Sequence, residues 1–172
     1  SGTTGTPKGT VHFHRDVMAI CDCFPRSIAG ISESDICVGS PPLAFTFGLG
    51  GLVLFPMRVG ASTVLLEKAG PDDLLTAIGQ YRATICFTAP TAYRAMLAAM
   101  EQGADLSSLR TAVSAGETLP GPVFEDWRRK TGKSMLDGIG TTELLHIFIS
   151  NRVDDAHPGV TGRPVTGYEA RI

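Results

Sequence analysis

The passage ATICFTAPTAYRAM, residues 83–96, joins a strand pattern directly to a helix pattern. Its first half is rich in β-branched and aromatic residues, which favours a short buried strand. Pro90 follows and suits the first turn of a helix, where the amide proton that proline lacks is not needed. The apolar residues Tyr93, Met96, Leu97 and Met100 then recur at helical spacing, which predicts a stripe that packs on a core. A strand followed at once by a helix is typical of α/β folds.

The same alternation continues on both sides of this passage. Strands are predicted at residues 61–66, 109–114 and 134–140, with a strand end at 11–13 and a short apolar run at 36–38, and helices at 15–28, 72–81 and 122–129. Strands separated by helices imply βαβ units. The sequence therefore predicts an α/β protein with a layered, mainly parallel sheet flanked by helices on both faces.

Length and charge limit the class of protein. The chain has 172 residues, which suggests one domain with a substantial core. Its formal net charge is −2, so it lacks the basic field that attracts nucleic acid or an anionic membrane. The longest apolar stretch, residues 43–57, is interrupted by glycine and threonine and is shorter than the ~20 residues of a membrane span. We therefore assign it to the core and expect no nucleic acid partner and no membrane segment.

The four cysteines are Cys21, Cys23, Cys37 and Cys86. Cys21 and Cys23 are too close in the chain for most zinc sites, and no second pair stands nearby. We predict four free thiols in a reducing compartment, which favours a cytoplasmic protein.

The first ten residues, SGTTGTPKGT, combine glycines, hydroxyl side chains and one lysine. Glycine lets a backbone approach phosphate, hydroxyls can donate to phosphate oxygens, and Lys8 supplies a positive charge. The residue order is not that of a Walker A loop. From composition alone, a phosphate-gripping loop and a flexible linker both remain open.

Ligands of parallel sheets bind where strands end, so the loops at residues 40–47, 88–91, 114–120 and 138–143 are candidate sites. In SAGETLP, residues 114–120, Ala115 and Gly116 leave the backbone open to a flat group. In DGIGTTE, residues 137–143, Thr142 can bind phosphate and Glu143 is a hard oxygen ligand suited to Mg²⁺. Taken singly, each stretch also fits an ordinary loop, with Glu117 as a first-turn helix acid and Glu143 as a solvated acid.

Taken in order, SGTTGTPKG, SAGE, GTTE and GVTGRPVTGYEARI resemble the motifs of the adenylate-forming (acyl/aryl-CoA synthetase, AMP-binding) superfamily. The first motif is highly specific, and the resemblance covers essentially the whole chain. The stretches SPPLAFTFGLGGLVLFPMRVGAS, FTAPTAYRAM and DGIGTTELLHIFISN are most similar to the benzoate-CoA and 2-aminobenzoate-CoA ligases. The resemblance implies that residues 1–172 are the central portion of the large N-terminal AMP-binding domain, without the small C-terminal domain.

The resemblance also implies the chemistry. In this superfamily a substrate carboxylate attacks the α-phosphate of ATP to give an acyl-adenylate and pyrophosphate, and the thiol of coenzyme A then displaces AMP. The carboxylate is itself the nucleophile, in agreement with the absence of a G-x-S-x-G elbow from this sequence. The implied cofactors are ATP, Mg²⁺ and coenzyme A, the last as a cosubstrate, and the implied partner is a small aromatic carboxylic acid.

The nucleotide site follows from the same resemblance. The groups expected to act in catalysis are Lys8, Thr142 and Glu143, with Glu143 as the metal ligand. Residues 1–9 are expected to grip the β- and γ-phosphates, 116–118 to lie along the adenine, and 137–138 to lie near its amino group. The implied nucleotide-binding residues are Ser1, Gly2, Thr3, Thr4, Gly5, Thr6, Gly9, Gly116, Glu117, Thr118, Asp137, Gly138 and Thr142.

The implied acid-binding residues are Phe45, Thr46, Phe47, Ala115, Gly140, His146 and Ile147. Aromatic and aliphatic walls suit a flat aromatic acid. His146, taken to lie on an apolar helix, either shapes this pocket or meets an ortho substituent. Thr46 stands where plain benzoate ligases have a smaller residue, and Phe47 replaces a tyrosine-like one, so the ring substituent stays open. We interpret His12, His14 and His157 as surface or structural residues.

Three later features of the superfamily do not occur in this sequence: a ribose-binding aspartate, the interdomain hinge and the catalytic lysine of the small domain. We therefore expect that this polypeptide alone does not complete the reaction, and that its exposed apolar surface favours association, for example as a homo-oligomer. Two other functions remain open at this point. One is an aryl-acid adenylating enzyme that loads a carrier protein, and the other is a nucleotide-binding module without catalysis.

Overall fold

Within residues 5–100 and 103–171, which the computed structural model describes, seven strands form one sheet. In chain order the strands are β1 (Ile36–Gly39), β2 (Ser62–Val64), β3 (Ile85–Thr88), β4 (Thr111–Ala115), β5 (Ser134–Gly140), β6 (Ile147–Ser150) and β7 (Arg163–Pro164). Their spatial order is β2-β1-β3-β4-β5-β6-β7. Strands β1 to β5 pair in parallel, whereas β6 and β7 are antiparallel to their neighbours. The predicted α/β fold with a mainly parallel sheet is confirmed.

In chain order the α-helices are α1 (His14–Asp22), α2 (Thr46–Leu49), α3 (Phe55–Val59), α4 (Pro71–Tyr81), α5 (Pro90–Ala99) and α6 (Gly121–Thr131). Two π-helical segments (Pro25–Ala29 and Gly50–Leu54) and a 3₁₀ turn (Thr142–Leu144) also occur. Pro71 and Pro90 begin α4 and α5 as their first residues, as the pattern around Pro90 predicts. Among the helices of the described residues, none combines the length and the apolar character that crossing a bilayer requires.

Helices cover both faces of the sheet. On one face, Tyr93 of α5 and Trp127 of α6 pack edge to face with ring centroids 4.8 Å apart. On the other face, Phe55 of α3 belongs to a second core. Along β3, Cys86 faces the first core and its neighbour Phe87 faces the second. Because both faces of the parallel strands are buried, their sequences are continuous apolar runs.

The N-terminal elements differ from the prediction. Residues 11–13 form no strand, and Val11 and Phe13 are 87% and 60% exposed. Instead of one helix over 15–28, α1 ends at Asp22 and a π-helical segment begins at Pro25. Proline has no amide proton to continue the helical hydrogen bonds, so the α-helix stops before Pro25.

The apolar stretch 43–57 is only partly core. Leu52 and Phe55 are 3% and 0% exposed, whereas Phe45 and Met57 are 66% and 75% exposed. The stretch folds as α2, a π-helical segment and α3, so only one side of each turn can face the sheet.

The sequence did not predict β6 and β7, and the helix expected around His146 does not exist. His146 lies immediately before β6, after the 3₁₀ turn. Leu145, with φ of 64°, turns the chain from that 3₁₀ turn toward the strand.

All four cysteines are free thiols, as predicted. Burial raises the pKa of Cys37 and of Cys86 to about 12, so both thiols stay protonated at neutral pH.

Candidate functional site

Polar side chains line up across the carboxyl ends of the parallel strands. Thr88, Ser114 and Asp137 are register partners on β3, β4 and β5. The hydroxyl of Ser40, just after β1, contacts the hydroxyl of Thr88. Thr88 and Ser114 are 0% exposed, and Asp137 is 7% exposed. A buried polar row at this edge is notable because it lies where α/β sheets bind ligands.

Asp137 has a desolvated carboxyl group. Burial raises its pKa, and the hydroxyls of Thr161 and Ser114 and the amide of Gly138 only partly offset this effect. Within the described residues, neither Oδ1 of Asp137 nor Oγ of Ser114 has a partner at good hydrogen-bonding geometry. An unpaired buried carboxyl oxygen is suited to accept a hydrogen bond from an N–H group of a ligand.

A cavity of about 350 Å³ brings together the two predicted adenine-binding stretches. It is lined by Gly116, Glu117, Thr118, Asp137, Gly138, Ile139, Gly140 and Thr161. Gly116 has φ of 91°, a conformation that favours glycine, and it turns the chain sharply after β4. The Thr91 hydroxyl donates to Oε1 of Glu117 at 3.1 Å and ties this turn to the start of α5.

A second, smaller cavity of about 80 Å³ lies beside the first. Its lining consists of Thr46, Phe47, Ala115, Gly116, Gly140, His146 and Ile147. These include all the predicted acid-binding residues except Phe45, which is 66% exposed and does not line the cavity. Gly116 and Gly140 line both cavities, so the two spaces are neighbours with only backbone at their shared rim.

His146 is enclosed by aromatic rings. The centroids of Phe55, Phe24 and Phe47 lie 4.5, 5.7 and 5.7 Å from the centroid of its imidazole. Burial lowers the pKa of His146 to about 3, and the backbone of Phe47 offsets this only slightly. Neither imidazole nitrogen reaches hydrogen-bonding geometry with another described residue. The ring is therefore neutral at pH 7, and its buried nitrogens make no hydrogen bond of good geometry, although the backbone of Phe47 lies near one of them.

The predicted phosphate loop is described only from Gly5 onward, since Ser1, Gly2, Thr3 and Thr4 lie outside the described residues. Gly5, Thr6, Lys8 and Gly9 are exposed.

The loop leads into His12, whose Nε2 donates to the carbonyl oxygen of Thr142 at 2.9 Å. His12 and Glu143 also line one cavity of about 350 Å³. The end of the loop segment and the turn that carries Thr142 and Glu143 therefore lie side by side, joined by the His12 contact.

Glu143 was predicted to bind Mg²⁺. In the described part of the chain, no group of three or more His, Cys, Asp and Glu residues could hold a metal by itself. Mg²⁺ at nucleotide sites is usually held by one or two carboxylates together with substrate phosphates. A single exposed glutamate beside a phosphate loop fits an ion of that kind.

Sequence reasoning missed Ser114 and Thr161 as neighbours of Asp137. The strand register of β4 against β5 places Ser114 beside Asp137, and the register of a strand pair cannot be predicted from the local sequence of either strand. Thr161 lies beyond β6 in the GVTGRP stretch, where only its place in a recognised motif marked it.

The chain is similar to known proteins along its whole length. The family model for AMP-binding enzymes matches residues 1–172. The benzoate–CoA ligase of Thauera aromatica is 42% identical over 175 residues, an alignment that covers 100% of this chain and 33% of that protein.

Two solved structures share the fold. The anthranilate CoA ligase AuaEII in complex with anthranoyl-AMP matches with a TM-score of 0.93 and 45% identity, covering 98% of this chain and 33% of that one. A benzoate CoA ligase from Burkholderia xenovorans LB400 matches with a TM-score of 0.87 and 38% identity, covering 95% of this chain and 34% of that one. The chain thus spans about a third of the length of the relatives it matches. On the strength of the family match along its full length, the chain belongs to the AMP-binding enzyme family.

Proposed function

We propose that the whole protein is an ATP-dependent, AMP-forming aryl-CoA ligase, and that residues 1–172 are the central portion of its N-terminal AMP-binding domain. The substrate is a benzoate-type or 2-aminobenzoate-type acid. Its carboxylate attacks the α-phosphorus and pyrophosphate leaves; the thiol of coenzyme A then forms the C–S bond as the acyl C–O bond to AMP breaks. The observation that supports this best is the shared rim of Gly116 and Gly140, because a nucleotide in one cavity would meet an acid in the other.

The nucleotide would occupy the larger cavity. We propose that Gly116, Glu117 and Thr118 lie along the adenine, and that the unpaired carboxyl oxygen of Asp137 accepts from its amino group. The backbone of Gly138 lies beside that oxygen and belongs to the same contact region. The work of such a site is positioning and charge neutralisation, which needs no protein nucleophile.

The phosphates would lie toward residues 1–9. We propose that Lys8, Thr142 and the hydroxyls and amides of the loop hold them, and that Glu143 holds Mg²⁺. When bound, the ion would neutralise charge on the phosphate oxygens. The His12 contact keeps the base of the loop beside the Glu143 turn, so both could act on one ligand.

The acid would occupy the smaller cavity. Phe47, Ala115 and Ile147 offer apolar walls, and Gly140 opens the rim toward the nucleotide. Because Phe45 does not line this cavity, we do not include it in the proposed contact set. The free cysteines favour a reducing compartment, and we propose the cytoplasm.

Acid-dependent pyrophosphate exchange in the whole protein tests the proposal. We expect exchange with aryl acids and Mg²⁺, little with acetate or hexanoate, and thioester formation when coenzyme A is added. ATP binding with no acid-dependent exchange would instead indicate a nucleotide-binding module. Exchange without thioester formation on coenzyme A would indicate an enzyme that loads a carrier protein.

The metal role has its own test. Glu143→Gln should weaken the apparent Mg²⁺ affinity in the exchange assay by about 10-fold or more. Glu125→Gln, an exposed acid on α6, is the matched control and should leave it unchanged. Equal Mg²⁺ dependence in both variants would rule out Glu143 as the ligand.

A further inference from the structure

The small cavity is lined by one buried imidazole whose nitrogens make no hydrogen bond of good geometry with the described residues. Of the residues that line it, only Thr46 and His146 carry polar side chains. His146 is 2% exposed, and neither of its nitrogens makes a hydrogen bond of good geometry with a described residue, although the backbone of Phe47 lies near one of them. Buried polar atoms in native proteins are nearly always paired, so an unpaired imidazole at a cavity wall points to a ligand group.

The imidazole is held in place by packing. The rings of Phe24, Phe47 and Phe55 surround it. A side chain on Gly50 would come within 2.4 Å of Cδ2 and 2.9 Å of Nε2, so the absence of a Cβ at Gly50 is required for this ring position. A neutral imidazole has one N–H donor and one bare acceptor nitrogen. His146 can therefore pair with an amino or a hydroxyl group, each of which can both donate and accept.

The size of the cavity indicates which part of an acid it receives. Its volume of about 80 Å³ exceeds the roughly 30 Å³ that a water molecule occupies but is below the ~150 Å³ of a cavity that accepts benzene. The cavity therefore suits the leading edge of a ring and one small substituent. The rest of the ring would lie at the opening formed by Gly116 and Gly140.

We propose that His146 and Thr46 make this cavity selective for an aromatic acid whose ring carries an amino or hydroxyl group, over the unsubstituted ring. The inference rests on the proposed aryl-CoA ligase function and names its substrate class. An unsubstituted ring would bury the imidazole against carbon and would offer its nitrogens no hydrogen-bonding group. A site built to bind a polar group in this way discriminates strongly against the analogue that lacks it.

The test is a substrate panel with the whole protein. The panel contains benzoate, the three aminobenzoates and the three hydroxybenzoates, with fluoro- and methylbenzoates as controls for shape. We expect the best amino or hydroxy isomer to exceed benzoate and its own fluoro and methyl analogues by at least about 10-fold in kcat/KM for pyrophosphate exchange.

Variants connect the preference to the two residues. His146→Phe keeps an aromatic ring without polar atoms and should reduce the ratio of kcat/KM between the best amino or hydroxy isomer and benzoate to about 2-fold or less. Thr46→Val changes a half-buried residue to one of nearly the same shape and should partly reduce the preference for amino and hydroxy isomers. This variant tests the inference if His146→Phe does not fold. His157→Phe, at an exposed histidine, is the matched control and should keep the full preference.

Two results would overturn the inference. One is benzoate exchange equal to or better than that of every amino and hydroxy isomer. The other is an unchanged preference in folded His146→Phe and Thr46→Val. Both leave the aryl-CoA ligase proposal standing, because exchange still occurs, whereas exchange with no aryl acid at all would refute that proposal itself.

Discussion

Gly50 controls how the His146 imidazole packs between its aromatic neighbours. In Gly50→Ala the new Cβ would lie 2.4 Å from Cδ2 of His146, closer than real contacts allow. Because backbone flanks one side of the ring and phenylalanines the others, it cannot move without displacing them. We expect a loss of about 1–3 kcal/mol in the free energy of unfolding and a raised KM for the aryl acid.

Urea unfolding measures the loss in unfolding free energy, and pyrophosphate-exchange kinetics measure the KM for the aryl acid. Gly79→Ala is the comparison variant: its Cβ would lie 3.3 Å from the backbone oxygen of Asp105, a tight contact but a much milder one than that at Gly50, and alanine favours the helix α4. A Gly50→Ala protein as stable as the parent would show that the His146 ring can move freely.

Asp137 carries a buried carboxyl group whose pKa is raised by burial. The ionised form is therefore penalised in the folded state, so its cost appears as the pH rises through the folded-state pKa. Asp137→Asn keeps the shape and removes this cost, so we expect a gain of about 1 kcal/mol in unfolding free energy at pH 7. The gain should fade as the pH is lowered, because the parent carboxyl then becomes protonated.

Unfolding curves between pH 3 and pH 8 measure this effect. Asp154→Asn changes an exposed carboxyl on the surface and is the matched control. Equal unfolding free energies of parent and Asp137→Asn at every pH would contradict the prediction that burial penalises the ionised form of this carboxyl.

At the level of elements, one ionic cluster joins the amino ends of three parallel strands. Asp35, just before β1, accepts from the Thr84 hydroxyl at 2.7 Å and from Arg110 at 3.0 Å. Arg110, just before β4, also donates to the carbonyls of Ala29 and Gly30 at 2.9 and 3.1 Å. The cluster lies at the opposite end of the sheet from the cavities, so its role is to hold the strands together.

Removing Arg110 should therefore cost stability. Burial alone would raise the pKa of Asp35, but the hydrogen bonds from Thr84, Ser32 and Arg110 outweigh it, and the net pKa is lowered. A carboxyl of this kind stabilises the fold above its ordinary pKa of about 3.9, and the contribution is lost as the pH falls through the folded-state value. We expect Arg110→Met to lower the unfolding free energy at pH 7 by about 2–3 kcal/mol.

Thermal or urea unfolding at pH 7 and below pH 4 checks the prediction. The difference in unfolding free energy between parent and variant should narrow as the pH falls through the lowered pKa of Asp35, because below it this carboxyl is protonated in both proteins. Arg94→Met, on the exposed side of α5, should change little at either pH. A gap that stays constant into acid would mean that packing of the Arg110 side chain, and not its charge, supplies the stability.

The molecule taken as a whole has an open sheet edge next to exposed apolar side chains. Strand β2 is the first strand of the sheet order, and Leu65 beside it is 57% exposed. Net charge is only −2, so electrostatic repulsion between copies is weak. We expect the 172-residue chain to associate as its concentration rises.

Sedimentation velocity over a range of concentrations measures this association. Leu65→Lys adds a charge at the sheet edge and should shift the chain toward monomer by about 10-fold in concentration or more. Val160→Lys adds the same charge at a residue of equal exposure, 57%, which precedes β7 at the other end of the sheet order, and should have a smaller effect. If both variants shift the association equally, the contact between copies does not involve the β2 edge.

Local sequence patterns correctly predicted the strands and helices that depend on only one local feature, such as an apolar run or a proline at a helix start. The runs at 83–88 and 109–114, the proline that begins α5 and the stripe of Tyr93 and Met96 all appear as expected. The predictions failed where the secondary structure depends on pairing with a strand that is distant in the sequence. Among the described residues, 11–13 pair with no strand, and the chain after His146 forms β6 by pairing antiparallel with β5.

The sequence by itself determined the α/β class, the family and the stretches from which a site would be built, because strand and helix periodicity and glycine-rich motifs are local properties of the chain. Tertiary structure alone decided that Asp137 stands beside Ser114 and Thr161 and that Phe45 lies outside the small cavity. It also decided that the buried nitrogens of His146 make no hydrogen bond of good geometry with the described residues. Burial, strand register and hydrogen-bond satisfaction depend on residues far apart in the chain, and only the packed fold brings those residues into contact.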